Sequence, residues 1–169
     1  NKLTRDLLGY AKTQDLIMER VRVRTLLEGV TEKLNPKIRE KMVHVKIEIP
    51  ETLPSIYGDK DRLTQVFINL ISNSVEAMRS AGGIVELSAE REGDRIVVRC
   101  RDNGAGIPRE LQDKLFMPFV SGKKGGTGLG LALVKKIIED HDGEITLGKV
   151  EKGTEFIIKL PMRQENNKE

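Results

Sequence analysis

The chain has 169 residues, of which 38% are hydrophobic and 33% charged, with no Trp, and this balance describes one globular core plus an appendage rather than a disordered or fibrous protein. Its 29 Lys and Arg are interleaved with 26 Asp and Glu for a net charge of +3, and no basic stripe carries stacking aromatics, so nucleic acid is not an expected partner. The single Cys excludes an internal disulfide and fits a reducing, cytoplasmic compartment, and no apolar run reaches membrane-spanning length, so no membrane contact is expected of these residues.

Residues 1–12 place Leu3, Leu7, Tyr10 and Ala11 at helical spacing in a segment too short to fold alone. They read as the end of a longer helix in a larger protein. Residues 12–24 show no helical period and are expected to act as a linker. Thr25-Leu26-Leu27-Glu28 has the form of a capping box and predicts a helix start at Thr25, with Leu27, Val30 and Leu34 on its apolar face and Asn35-Pro36 interrupting it. From Val43 to Ile49 the pattern alternates, with Val43, Val45, Ile47 and Ile49 inward and His44, Lys46 and Glu48 outward. That predicts a half-buried strand and makes His44 an exposed strand residue rather than a catalytic one. Pro50 and Pro54 break the run, and Gly58-Asp59 leads into the next helix with Asp59 as N-cap.

The helix predicted over 60–79 carries the clearest pattern in the chain. Leu63, Val66, Phe67, Leu70, Ile71, Ser74 and Met78 form one stripe, and Arg62, Gln65, Asn69, Asn73 and Glu76 form a strip along its flank. Asn69 and Asn73 project side by side at the rim of the core. Two readings are open for them: solvated polar flank residues, or amide oxygens of the hard type that suits Mg²⁺ carrying phosphate. A hairpin follows, with strands on either side of Glu92-Gly93-Asp94. Its second strand puts Ile96, Val98, Cys100 and Asp102 on one face. A carboxylate at the end of a buried row needs donors. Gly104 and Gly106 then let the backbone turn and a ligand approach.

Lys123 and Lys124 sit among Gly122, Gly125 and Gly126, either as a solvated loop or as a lid whose lysines meet phosphate. Gly126-Thr127-Gly128-Leu129-Gly130 runs straight into an amphipathic helix, the arrangement that holds phosphates on free N–H groups. Leu133 stands where a dinucleotide fingerprint needs its third Gly, and no Gly-Lys-Ser/Thr exists, so Rossmann and P-loop sites are excluded. The helix is expected to end near His141, a structural residue in its last turn, with Gly143 at C′. Two strands, from Glu144 and from Thr154, close the fold before a polar tail. A carboxylate at Asp102 can accept from the exocyclic amine of adenine but would oppose the carbonyl of guanine.

In combination, Asn69-x-x-x-Asn73, Asp102-x-Gly104-x-Gly106, Phe116-x-x-Phe119 and Gly126-x-Gly128-x-Gly130 follow the order of the N, G1, F and G2 boxes. Over 25–162 the chain resembles the ATP-binding catalytic domain of bacterial sensor histidine kinases, in the superfamily of gyrase, mismatch-repair and heat-shock chaperone ATPases. The segment from Asn69 to Met78 looks closest to the nitrogen-regulation and sporulation kinases. The resemblance implies a Bergerat-type ATP-binding fold, a two-layer α/β sandwich with a mixed sheet of about five strands backed by three helices. It implies ATP and Mg²⁺ as cofactors. Asp102 would accept from the adenine amino group with Thr154 helping through water, and Ile107, Phe119, Thr127 and Leu129 would lie along the nucleotide with Gly104, Gly106, Gly126, Gly128 and Gly130. Asn73 would ligate Mg²⁺ with Asn69 supporting it, and Lys123 or Lys124 would meet phosphate. Many members carry Lys three residues after the second Asn, where this chain has Glu76.

The hydrolases of the superfamily carry Glu where this chain has Asn69, and Asn cannot accept a proton from water. The resemblance therefore implies phosphoryl transfer to a histidine on a separate dimerisation domain, and a response regulator as the further partner. Neither His44 nor His141 has the acceptor's setting, a His followed by an acid on a hairpin helix. In these terms 1–24 would be the end of a dimerisation helix plus linker, 25–162 the catalytic domain and 163–169 a tail. A non-catalytic nucleotide-gated module and an anti-sigma-type serine kinase share the same boxes.

Overall fold

The structure, a computed structural model, describes residues 1–11, 15–123 and 125–162. In chain order its elements are α1 (Lys2–Ala11), β1 (Met18–Val21), α2 (Val23–Lys33), α3 (Asn35–Glu40), β2 (His44–Glu48), β3 (Ile56–Asp59), α4 (Lys60–Glu76), β4 (Ile84–Glu92), β5 (Arg95–Asp102), α5 (Arg109–Gln112), α6 (Gly130–Asp140), β6 (Glu144–Leu147) and β7 (Thr154–Pro161). Five strands form a mixed sheet in the order β2-β4-β5-β7-β6, with β2 parallel to β4 and the other neighbours antiparallel. Alternation does the sorting. Ile96, Val98 and Cys100 of β5 stand in register with Leu160, Ile158 and Phe156 of β7, all buried. Arg99, Arg101 and Lys159, on the alternate positions, are not buried.

The buried face is covered by α2, α4 and α6, whose apolar stripes join it in one core, so the fold is the expected two-layer α/β sandwich. Leu63, Phe67, Leu70 and Ile71 of α4 are fully buried, each contributing about 1.5–3 kcal/mol of transfer free energy.

Several local expectations are corrected. The stretch expected to be a linker contains β1, which pairs antiparallel with β3, Val21 opposite Ile56. Val21 and Val23 are core residues, so the packed body begins before Thr25; residues 12–14 lie outside the described ones. Thr25 and Glu28 form no capping box, because α2 starts at Val23 behind Arg22, and Glu28 instead pairs with Arg24 at 3.3 Å. Burial of Val23 outweighs the local signal. Helix α4 ends at Glu76, short of Arg79, and the carbonyl of Ala77 accepts from the amide of Ala105 at 3.0 Å. At the end of α6 the left-handed C′ residue is Asp142, φ 57, rather than Gly143. The amides of Asp142 and Gly143 close a Schellman pair on the carbonyls of Glu139 and Ile138, both at 2.9 Å.

His141 is structural, as expected, and more deeply engaged than a last-turn charge. It is 2% exposed. Its Nε2 accepts from the amide of Asp59 at 2.9 Å, and its Nδ1 lies 2.7 Å from the Ile137 carbonyl, which assigns the ring hydrogen to Nδ1. Asp59 caps α4 by accepting from the Arg62 amide at 3.1 Å and holds the approach to β1 by accepting from Ile17 at 3.0 Å. His44 is exposed on the edge strand β2.

Candidate active site

Asp102 ends the buried row of β5, between Val85 of β4 and Thr154 of β7, and is 4% exposed. Its Oδ1 accepts from the Gly104 amide at 2.9 Å, and the Ser74 hydroxyl and Thr154 amide also donate to it. Burial nevertheless pushes its carboxyl above the ordinary 3.8, against those three donors and the charge of Lys123. The adjoining turn is fastened to its surroundings. Asn103 exchanges bonds with Ile84, and the β7 side is closed by Gly153, φ 78, where a Cβ would lie 1.9 Å from the Asp102 carbonyl oxygen. Asp102 also adds to burial in raising the Cys100 thiol to about 12, which leaves that thiol unreactive.

The raised carboxyl has a pH consequence. In its charged form Asp102 is a pure acceptor; protonation puts a donor there. ATP affinity is therefore expected to fall on acidification at a pH above the range where an exposed Asp titrates. The ratio of parent to Asp102→Asn affinity, measured by calorimetry across pH, isolates this effect from the titration of ATP itself. A ratio that does not vary with pH would count against it.

The polar strip of α4 meets the Gly-rich segment at Asn69 and Asn73. A Cβ on Gly130 would stand 3.5 Å from Asn69 Oδ1, and the Lys123 ammonium donates to Asn73 Oδ1 at 3.1 Å and to Glu76 Oε2 at 2.5 Å. From the other side Lys37 of α3 donates to Glu76 Oε1 and to Ser72 Oγ, the latter at 2.8 Å. Burial works to raise the Glu76 carboxyl, but the two lysines outweigh it and hold its pKa at about 2. The loop from Phe119 to Gly128 is pinned at its ends. The Phe119 amide donates to the Gly128 carbonyl at 2.9 Å, and a Cβ on Gly128, φ 71, would lie 2.5 Å from the Phe119 backbone. No side chain caps the N-terminus of α6 among the described residues, which leaves N–H donors for an anion.

The structure thus brings Asn69 to Gly130 and Asn73 to Lys123, and gathers Gly104, Gly106 and Thr154 about the Asp102 turn, while Gly126 and Gly128 pack within their own loop, against Lys123 and Phe119. Ile107 packs against the core, Leu129 is buried, and Phe119 is 68% exposed. Thr127 donates to Asp6 of α1 at 2.7 Å and accepts from the Leu129 amide at 3.4 Å. Lys124 lies outside the described residues. A cavity of about 1170 Å³ lined by 78–83, 103–109 and 147–154 shares Gly104, Gly106, Ile107 and Thr154 with the Asp102 side but excludes the α4 strip. The sequence does not single out Ser74 or Lys37 as contributors, and it shows Glu76 only as a strip residue in place of the family's Lys. Ser74 was assigned to the apolar stripe, although a hydroxyl in such a row is itself a signal of a polar partner. Glu76 and Lys37 meet only through tertiary packing.

Residues 58–164 match the family of histidine kinase-, DNA gyrase B- and HSP90-like ATPases. The chain belongs to this family. The catalytic domain of the histidine kinase ThkA, in a nucleotide-free form, superposes with a TM-score of 0.78 at 32% identity, over 88% of this chain and 97% of that one. This places the chain among the histidine kinase domains of the family. ThkA in complex with the response regulator protein TrrA superposes with a TM-score of 0.83 at 30% identity, over 98% and 48%. Full-length ShkA in complex with AMPPNP does so with a TM-score of 0.84 at 28% identity, over 95% and 35%. Sporulation kinase E of Bacillus subtilis (strain 168) is 34% identical over 160 residues, which are 94% of this chain but 22% of that protein.

Proposed function

We propose that this kinase domain binds Mg-ATP between the Asp102 turn and the α4 strip and passes the γ-phosphoryl group to a histidine on a separate helical dimerisation domain, from which a response regulator is served. The observation that carries the reading is the meeting of Asn73 with Lys123 and of Asn69 with the start of α6, together with a buried acceptor at Asp102. Asp102 accepts from the adenine amine. The uncapped amides of α6 and the lid lysines take the phosphates. Lys124 shares the lid role in this proposal.

The residues present fit a divalent cation. Asn73 Oδ1 already holds a positive charge, the Lys123 ammonium, and amide oxygens are ligands of the kind Mg²⁺ accepts. Among the described residues no cluster of three or more His, Cys, Asp or Glu could hold a metal, so side chains alone do not complete a coordination shell and phosphate and water must supply part of it. Bound there, Mg²⁺ would neutralise charge on the transferring phosphoryl group. The protein's own part is positioning, because Asn69 cannot serve as a base for water.

Helix α1 fits the end of a dimerisation helix. Leu3, Leu7 and Leu8 are exposed, while Tyr10 and Asp6 face α6 and the Gly-rich segment through Lys136 and Thr127. No helix among the described residues is long and apolar enough to cross a membrane.

Asn73→Ala is expected to remove most of the magnesium-dependent gain in ATP affinity and to leave metal-free ADP binding within about threefold of the parent, a change under 1 kcal/mol. Calorimetric titration with and without Mg²⁺ measures both. An equal magnesium gain in mutant and parent would take Asn73 out of the metal site.

A further inference from the structure

We infer that Glu76 is a second protein ligand of the divalent cation, beside Asn73, and that the Lys123 ammonium stands in that cation's place until nucleotide arrives. The inference rests on the Mg-ATP reading of the rim and adds to it a carboxylate where that reading places none.

Three observations converge. First, one ammonium group is gripped by two oxygens of different residues, Asn73 Oδ1 at 3.1 Å and Glu76 Oε2 at 2.5 Å. Those residues are three apart on α4, so their side chains share a face. An amide oxygen and a carboxylate oxygen converging on one positive charge are a hard-cation donor pair. Second, the carboxylate is oriented. Lys37 of α3 holds Oε1 and is itself braced on Ser72 Oγ at 2.8 Å, so Oε2 alone faces the rim. This is the outer bond that fixes a metal-binding carboxylate in many sites. Third, the two lysines differ in their mounting. Lys37 belongs to a helix, whereas Lys123 sits in the lid beside Gly125 and Gly126 and can follow a polyphosphate.

The charge balance supports the exchange. An ionised Glu76 beside a triphosphate is repulsive unless a cation lies between them. When phosphate draws Lys123 away, Asn73 Oδ1 and Glu76 Oε2 are left without their cation, and the metal carried by the nucleotide replaces it.

The test is Mn²⁺ binding to the ADP-saturated protein, read by electron paramagnetic resonance. Glu76→Gln keeps the shape and one acceptor but loses the charge. It should weaken Mn²⁺ by about ten- to a hundredfold, as Asn73→Ala should, with metal-free ADP affinity within about threefold of the parent. Glu76→Cys adds a readout that a merely structural role would not move: Cd²⁺, which favours thiolate, should bind this variant tightly while Mn²⁺ does not. The buried Cys100 will not interfere. Parent-like Mn²⁺ affinity in Glu76→Gln, or Cd²⁺ binding to Glu76→Cys no better than to Glu76→Gln, would overturn the inference while leaving the Mg-ATP reading intact. A parent protein that binds no nucleotide would overturn both.

Discussion

Asp102→Asn is expected to weaken ATP binding at least tenfold, about 1.4 kcal/mol, while the protein stays folded. The carboxylate already accepts from the Gly104 amide, the Ser74 hydroxyl and the Thr154 amide. An amide replaces one of its two acceptor atoms with a donor. Among these partners only the Ser74 hydroxyl could accept from that NH₂ group; against a backbone N–H or the adenine amine the contact is donor to donor. Leaving a buried donor unpaired costs about 1–3 kcal/mol, so the loss falls on the ligand bond or on the turn that forms the pocket wall. Folding gains in the opposite sense, because burial already disfavours the charge at this position. The mutant should also discriminate less between adenine and guanine nucleotides. Calorimetry with ATP and GTP decides it, and an unchanged ATP affinity would remove Asp102 from the base pocket.

The largest effect on stability is expected at Asp59. One carboxylate caps α4 through Arg62, holds Ile17 ahead of β1, and belongs to the residue whose amide donates to buried His141. Asp59→Ala removes an N-cap worth about 0.5–2 kcal/mol and a second charge-assisted bond worth about 1.5–3. A net loss of about 3 kcal/mol would lower Tm by roughly 10 °C in a domain of this size. Burial opposes ionisation of Asp59, but the amides of Ile17, Arg62 and Asp61 hold its carboxyl below 3.8. A group depressed on folding stabilises above its unfolded pKa and loses that contribution as pH falls through the folded one. Parent and variant should therefore differ fully at neutral pH and converge in acid. Urea denaturation at several pH values measures this; a difference below about 1 kcal/mol at pH 7 would contradict the shared-anchor role.

What was legible in the sequence was what periodicity or chain-local chemistry carries. The stripe of α4, the row ending at Asp102 and the cap at Asp59 each repeat or sit at a fixed offset, and each is where it was expected. What was not legible depends on partners distant in sequence. The strand Met-Glu-Arg-Val of β1 has four residues and no clear apolar alternation; only pairing with β3 makes it a strand. The helix start at Val23 follows from burying Val21 and Val23, which outweighs the Thr25–Glu28 signal. At the site, the four boxes marked Asn73 and Asp102, but the link from Lys37 through Glu76 to Lys123 joins residues up to 86 positions apart, since 123 − 37 = 86. No spacing rule reaches that far.

The central claim is that this domain holds Mg-ATP for an acceptor histidine it does not itself present. His141 is buried with both ring nitrogens engaged, and His44 stands exposed on the edge of the sheet. Incubation with ATP labelled at the γ-phosphate, with and without an added helical hairpin of the proposed kind, carrying a His followed by an acid, tests it most directly. Almost no label and slow phosphate release are expected from this chain alone, and acid-labile label on the hairpin histidine when the two are combined. Stable label on His44 or His141, or brisk phosphate release without the hairpin, would contradict it.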